Sequence, residues 1–282
     1  MSPANHAMNR LLFRLPTLIT LGAGLLLLLH GPIPQPAHYH AFADHSVLFG
    51  LPHGADVVSN IGFALVGLWG FARLRPMRHQ QCLRAGWHGY RLFLLGLVLT
   101  AIGSAFYHLA PDNARLVWDR LPIALACAGL LAAVRAEVRP GSDTSRDAAV
   151  LALLAVLSVA WWYLTELRGQ GDLRPYLLLQ ALPLVLIPLW QAIHASPRRD
   201  RLWFGIALLL YVAAKAAELL DHQIAAHLGW ISGHTLKHLL AMAAAAAVVG
   251  RLYQRLGETG DAATRVASAA QTHIRPGIPE RD

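Results

Sequence analysis

Eight apolar runs, at 11–30, 56–73, 90–108, 116–135, 148–166, 175–194, 202–221 and 233–253, constrain this 282-residue chain more than any other feature. About 20 apolar residues in helical form are needed to cross a hydrocarbon core of roughly 30 Å. Hydrocarbon offers no partner to a free backbone group, so each run must be a helix or a strand of a closed barrel. Uninterrupted Leu and Ala at this length exclude the alternating pattern of a barrel strand. With 55% hydrophobic and only 14% charged residues, the chain falls outside the soluble norm. The expectation is an all-α integral membrane protein with eight spans.

The net charge of +8 does not point to nucleic acid, because the arginines alternate with the spans. Arg10 and Arg14 precede the first. Arg73, Arg75, Arg78, Arg84 and Arg91 follow the second, and Arg135, Arg139 and Arg146 the fourth. Arg198, Arg199 and Arg201 separate the sixth and seventh, and Arg251 and Arg255 follow the eighth. The opposite loops hold only Arg115, Arg120, Arg168 and Arg174. By the positive-inside rule both termini are cytoplasmic. The first run has the basic start and leucine core of a signal peptide, but His30–Pro36 has no clear small-x-small cleavage site, so a retained span is expected. Cys82 falls in a loop and Cys127 within a span, which leaves no disulfide framework.

Three regions follow. Residues 1–55 hold the first span and an outer loop rich in Pro and His, with His38, His40, His45 and His53, read as solvated. Residues 56–256 form a seven-helix domain, and the polar stretch 257–282 is expected to be disordered. Gly62, Gly67, Gly70 and Ala243–Ala247 read as packing residues that let helices approach closely. No internal repeat suggests an inverted-repeat transporter, and the midspan regions are apolar, which disfavours a metal transporter.

Five polar residues stand at the outer ends of apolar runs: Ser104, His108, Asp119, His234 and His238. Ionisable groups in membrane spans are costly and by default mark function. His234 and His238 are four apart, hence on one helix face, as are Ser104 and His108. The third span runs outward to His108, the fourth returns near Asp119, and the eighth begins at His234, so all five share a depth near the outer face. Three imidazoles suit zinc and leave an open fourth position, the catalytic arrangement. Asp119 reads as a general base, or as a fourth ligand that would close the site. Ser104 reads as a donor to an oxyanion, or as a packing residue. Glu218, Asp221 and His222 end the seventh span on the same side. Carboxylates at a helix C-terminus oppose the macrodipole, so either they orient a ligand histidine or they pair with Lys215 or Lys237.

Asp56-Val57-Val58-Ser59-Asn60, Gly103-Ser104-Ala105-Phe106-Tyr107-His108, Trp118-Asp119-Arg120-Leu121-Pro122 and Gly233-His234-Thr235-Leu236-Lys237-His238 together resemble the alkaline ceramidase family. That family belongs to a superfamily of membrane hydrolases that also holds the progestin and adiponectin receptors. The resemblance covers roughly residues 55–253. It implies a seven-helix bundle around Zn2+ that hydrolyses the amide of ceramide or a related N-acyl lipid. His108, His234 and His238 would be the metal ligands, Asp119 the base and Ser104 the oxyanion donor. The chain departs from the family in its additional N-terminal span. It also carries histidine near an acidic position of the eukaryotic members' calcium site, in the stretch from Asp44-His45-Ser46 to His53-Gly54-Ala55. The Ala, Leu and Arg bias looks bacterial, so the expected setting is a bacterial inner membrane with the zinc site near the periplasmic face. A receptor-like lipid-binding protein of the same superfamily, without turnover, is the alternative.

Overall fold

The computed structural model describes residues 3–139 and 141–273. Among them every regular element is a helix: α1 (Pro3–His30), α2 (Gly54–Ser59), α3 (Ile61–Leu74), α4 (Gln81–Arg84), α5 (Trp87–Leu109), α6 (Asn113–Val138), α7 (Thr144–Glu166), α8 (Arg174–Ile193), α9 (Arg198–Leu219), α10 (Asp221–Leu228) and α11 (Gly233–His273). Eight spans are long and apolar enough to cross a membrane, with α2 and α3 together making one of them. The all-α, eight-span expectation holds.

Two spans differ from their expected form. The second breaks at Asn60, whose side-chain amide donates to the Asp56 carbonyl at 2.8 Å and competes with the helical ladder. The seventh stops at Leu219, and the chain turns into the short helix α10. In the stretch expected to be disordered, α11 keeps helical backbone as far as His273, and residues 274–282 lie outside the described residues. Alanine recurs through 262–270, and alanine is the best helix former. At the start of that stretch, Glu258 accepts from Arg251 at 2.8 and 2.9 Å and from Arg199 at 2.7 Å.

Seven helices close a ring: α3 packs on α5, α5 on α6, α6 on α7, α7 on α8, α8 on α9, α9 on α11, and α11 returns to α3. Helix α1 stands outside, against α8, and presents Leu21, Leu25, Leu26 and Leu29 outward. In hydrocarbon such a face has nothing to gain from burial, so a peripheral helix is tolerated there.

The tightest seam of the ring is between α5 and α6. Gly89, Gly96 and Gly103 recur every seven residues along one face of α5. A methyl group added at Gly89 would lie 2.4 Å from the Ala133 amide, at Gly96 2.8 Å from the Ala126 amide, and at Gly103 1.9 Å from the Trp118 carbonyl oxygen. Pro122 lies four residues after Trp118 and has no N–H to return to that carbonyl. The carbonyl left free by Pro122 is thus the one that faces Gly103.

At the end opposite the histidines, Arg251 and Arg255 reach Asp200 at 2.5 and 3.0 Å, and Arg255 reaches Glu137 at 2.6 Å. These two arginines are buried in a network joining α6, α9 and α11, rather than serving as free loop charges.

The loop 31–53 folds back over the bundle, burying Phe42 and Asp44 and drawing in His40 and His53, while His38 and His45 stand in solvent as expected. The Leu173 amide donates to the Ile33 carbonyl at 2.8 Å and the Ala43 amide to Asp221 at 2.9 Å. His40 bonds the Tyr107 hydroxyl and Asn113, both at 2.9 Å, while His53 meets the Asp44 carbonyl at 2.6 Å. Burial disfavours the Asp172 charge. Hydrogen bonds from Arg174, the Trp161 indole and the backbone amides of Arg174 and Ile33 nonetheless hold its carboxyl well below the usual range. A carboxylate depressed in this way contributes stability above its unfolded value near 3.8, and loses it only as pH falls through its native value. Asp172 therefore latches the loop to α8 throughout the neutral range, and Arg174, which it holds, donates to the Leu27 carbonyl of α1 at 3.2 Å.

The seam makes a direct prediction. Gly103→Ala should lower detergent-state stability by about 1–3 kcal/mol or more, because a backbone carbonyl cannot move aside as a side chain can. Gly205→Ala in α9, where nothing lies within 4 Å, should be neutral to mildly stabilising in the same thermal unfolding measurement, since alanine is the better helix former.

Candidate metal centre

Two helices supply the three histidines. His108 ends α5, and His234 and His238 begin α11, whose first turn is anchored by Asp221 accepting from the His234 amide at 2.7 Å. The ring centroids are 4.8 Å apart for His108 and His234, 5.1 Å for His108 and His238, and 4.9 Å for His234 and His238. One nitrogen from each lies within 4.8 Å of the other two. All three side chains are buried.

Burial of polar nitrogens without partners is costly, and here it is concentrated. Neither nitrogen of His108 has a hydrogen-bond partner, nor has Nε2 of His238. A metal ion held by one nitrogen of each ring would supply missing partners. The second nitrogens are directed by other groups. Ser59 Oγ lies 2.8 Å from His238 Nδ1, which leaves Nε2 for a metal. Asp56 Oδ2 lies 3.9 Å from His108 Nδ1, too far for a hydrogen bond but placed to orient the ring. Thr235 in turn donates to Asp56 Oδ1 at 2.5 Å. His234 is the exception: Lys237 Nζ sits 2.8 Å from its Nε2. His234 therefore offers a metal its Nδ1, or its Nε2 once Lys237 turns wholly to Glu218, 3.1 Å away.

A cavity of about 670 Å³ runs inside the helix ring from this centre. Ser104, Asp119, His234 and His238 line it, while His108 is fully buried behind the wall. The Gly103 seam sets Ser104 beside the α6 turn that carries Asp119. All five expected residues thus gather at one end of the bundle, four of them on a common cavity.

The Glu218, Asp221 and His222 cluster resolves into separate roles. Asp221 does not end the seventh span. It opens α10, where a carboxylate suits the macrodipole, and it caps α11. Glu218 pairs with Lys215 and Lys237, and through Lys237 its charge reaches His234. His222 holds the loop through the Ala41 carbonyl at 2.9 Å. Arg120, expected in an outer loop, lies inside α6 and is buried in the cavity wall.

Sequence reasoning missed Phe42, Asp56 and Ser59 as parts of the site. Phe42 descends from the loop to 4.4 Å from the His234 ring and 4.7 Å from the His108 ring, and roofs the centre. Nothing local marks it, since an apolar residue in a Pro- and His-rich loop has no periodic signal. Asp56 and Ser59 had a signal: polar residues three apart share a helix face at the start of an otherwise apolar run.

Metal analysis of purified protein should find one divalent ion per chain, lost in the His234→Ala, His238→Ala double variant. Full metal content in that variant would place the ion elsewhere. Ser59→Ala should weaken metal binding by about 10–100-fold, the usual cost of removing a group that orients a ligand histidine. Comparison of the chain with family models, with curated proteins and with solved structures found no match.

Proposed function

We propose that the protein is a zinc-dependent integral-membrane amidohydrolase that cleaves an N-acyl lipid, as the resemblance to the alkaline ceramidases implies. The observation that carries this reading is a cluster of three imidazoles, two of them lining an apolar cavity that also exposes a carboxylate and a hydroxyl. Three neutral nitrogen donors without thiolate suit zinc, which when bound supplies Lewis acidity and a nucleophile at neutral pH.

The chain's own residues then divide the work. Phe93, Leu97, Leu130 and Val248 line the cavity with apolar surface that would accept an acyl chain. Phe42 and the folded-back loop limit access of bulk water to the centre. Asp119, on the cavity wall, takes a proton from the attacking water and passes it to the leaving amine. Ser104 Oγ donates a hydrogen bond to the oxyanion that forms at the former amide carbonyl. Water adds to the acyl carbon, the C–N bond breaks, and the products are a fatty carboxylate and an amine.

Asp119→Asn should keep its metal, because the three histidines are untouched, and should lose about 10²–10⁴-fold in turnover. Fatty-acid release from a panel of N-acyl lipids in detergent, measured beside metal content, decides this. Full activity in the variant would overturn the role of Asp119. Release from no lipid by metal-loaded wild type would leave lipid binding without turnover, as in a receptor. We further propose cytoplasmic termini, which the arginine distribution supports; in a bacterial inner membrane the metal centre would then lie toward the periplasm. Reporter fusions at Arg78 and at the C-terminus should therefore both read as cytoplasmic, and an external C-terminus would reverse the orientation.

A further inference from the structure

Arg120 has no role in the chemistry above, yet its side chain is buried in the wall of the same cavity. Its guanidinium carbon lies 4.0 Å from the Trp162 ring centroid, 4.9 Å from that of Tyr39 and 5.4 Å from that of Tyr176. These rings, from α7, the loop and α8, stabilise the positive charge through their faces. They do not satisfy its N–H groups, which point along the guanidinium plane and need acceptors. Nε and Nη1 have no hydrogen-bond partner. Arg120 also takes part in none of the ion pairs found among the described residues, whereas Lys215, Glu218, Asp221 and Lys237 on the same cavity are engaged. Glu218 is shared by Lys215 and Lys237, and Asp221 accepts two backbone amides.

A guanidinium has donors but no acceptors. Its complement is an anionic group with two coplanar oxygens, a carboxylate or a phosphate, held in a fork. Arg120 adjoins Asp119 in the chain, so their α-carbons are about 3.8 Å apart while the two side chains diverge around the helix. A group bound at Arg120 is therefore a few bonds from an amide placed for Asp119.

We infer that Arg120 and its aromatic cage form an anion subsite for a carboxylate or phosphate on the amine half of the substrate. This makes the substrate an anionic N-acyl lipid, such as an N-acyl amino acid, rather than a neutral N-acyl amino alcohol. The inference rests on the hydrolase reading for turnover but not for binding. Cleavage is the same balanced hydrolysis: the amide C–N bond breaks, water supplies the acyl oxygen and the proton of the amine, and the anion leaves with the amine.

The test uses the purified full chain and matched dodecanoyl amides of glycine, phosphoethanolamine and ethanolamine. Wild type should cleave at least one anionic amide with kcat/KM about 10-fold or more above the ethanolamine amide, the scale of hydrogen bonds to a charged group. Preference for the glycine amide identifies a carboxylate, and preference for the phosphoethanolamine amide a phosphate. In Arg120→Gln the ratio should fall to within about twofold of one, mainly through KM, and Arg120→Lys should keep part of it. Equal cleavage of all three by wild type, or an unchanged ratio in Arg120→Gln, overturns the proposal. Binding of the non-cleavable dodecanesulfonamides of glycine, phosphoethanolamine and ethanolamine to wild type decides the subsite even if Arg120→Gln fails to fold. Preferential binding of an anionic sulfonamide with no amide cleaved keeps the subsite and removes the hydrolase. Cleavage without any anion preference does the reverse.

Discussion

The close approach of α5 and α6 at Gly103 is the constraint on which the site depends. A side chain of any size at that position would collide with the Trp118 carbonyl, so only glycine lets the two backbones meet there. Pro122 frees that carbonyl from the helical ladder, and the seam buries it against α5. The consequence is positional: Ser104 and His108, the next polar residues along α5, are carried into the same turn-level as Asp119 on α6. Two glycines one and two heptads earlier hold the rest of the seam, so the depth of Ser104 and His108 is set by backbone contact along much of the helix.

From that seam the polar groups are organised outward, each satisfying or orienting the next. Ser59 faces His238, Asp56 faces His108, Thr235 holds Asp56, and Asp221 caps the helix that carries both remaining histidines. Within a low-dielectric bundle an unpaired polar group is expensive, so a connected set of this kind has few alternative arrangements. The unpaired atoms that remain are therefore informative. Those on His108 and His238 lie in a cluster of three histidines that could hold a metal ion, and those on Arg120 belong to a residue in the wall of the neighbouring cavity.

The loop 31–53 completes the centre rather than merely joining α1 to the ring. Its hydrogen bonds reach α5, α6, α10 and the segment before α8, and Phe42 seals the histidines from above. His53 adopts a left-handed backbone conformation at the start of α2, uncommon for a residue with a Cβ, and is held there by the Asp44 carbonyl. With the loop in place, a cavity lined mainly by apolar residues meets a small polar end. That shape suits a molecule with a long chain and a compact head.

Span count, helix type and the grouping of Ser104, His108, Asp119, His234 and His238 at one end were legible in the sequence by itself. Hydropathy over about 20 residues reports directly on the solvent a segment requires, and alternation of spans fixes which ends lie together. Even the seam was present as glycines at seven-residue intervals, although the partner helix was not. Only the tertiary structure decided that α1 stands outside the ring, that Asp221 begins a helix instead of ending one, and that Phe42 roofs the histidines. It alone moved Arg120 from a presumed loop into the cavity wall. These features depend on contacts between residues far apart in the chain, such as the amide of Ala43 with Asp221 or the ring of Trp162 with Arg120. Local patterns of polarity state which solvent a residue tolerates, whereas its partner is chosen by the packing of the whole bundle.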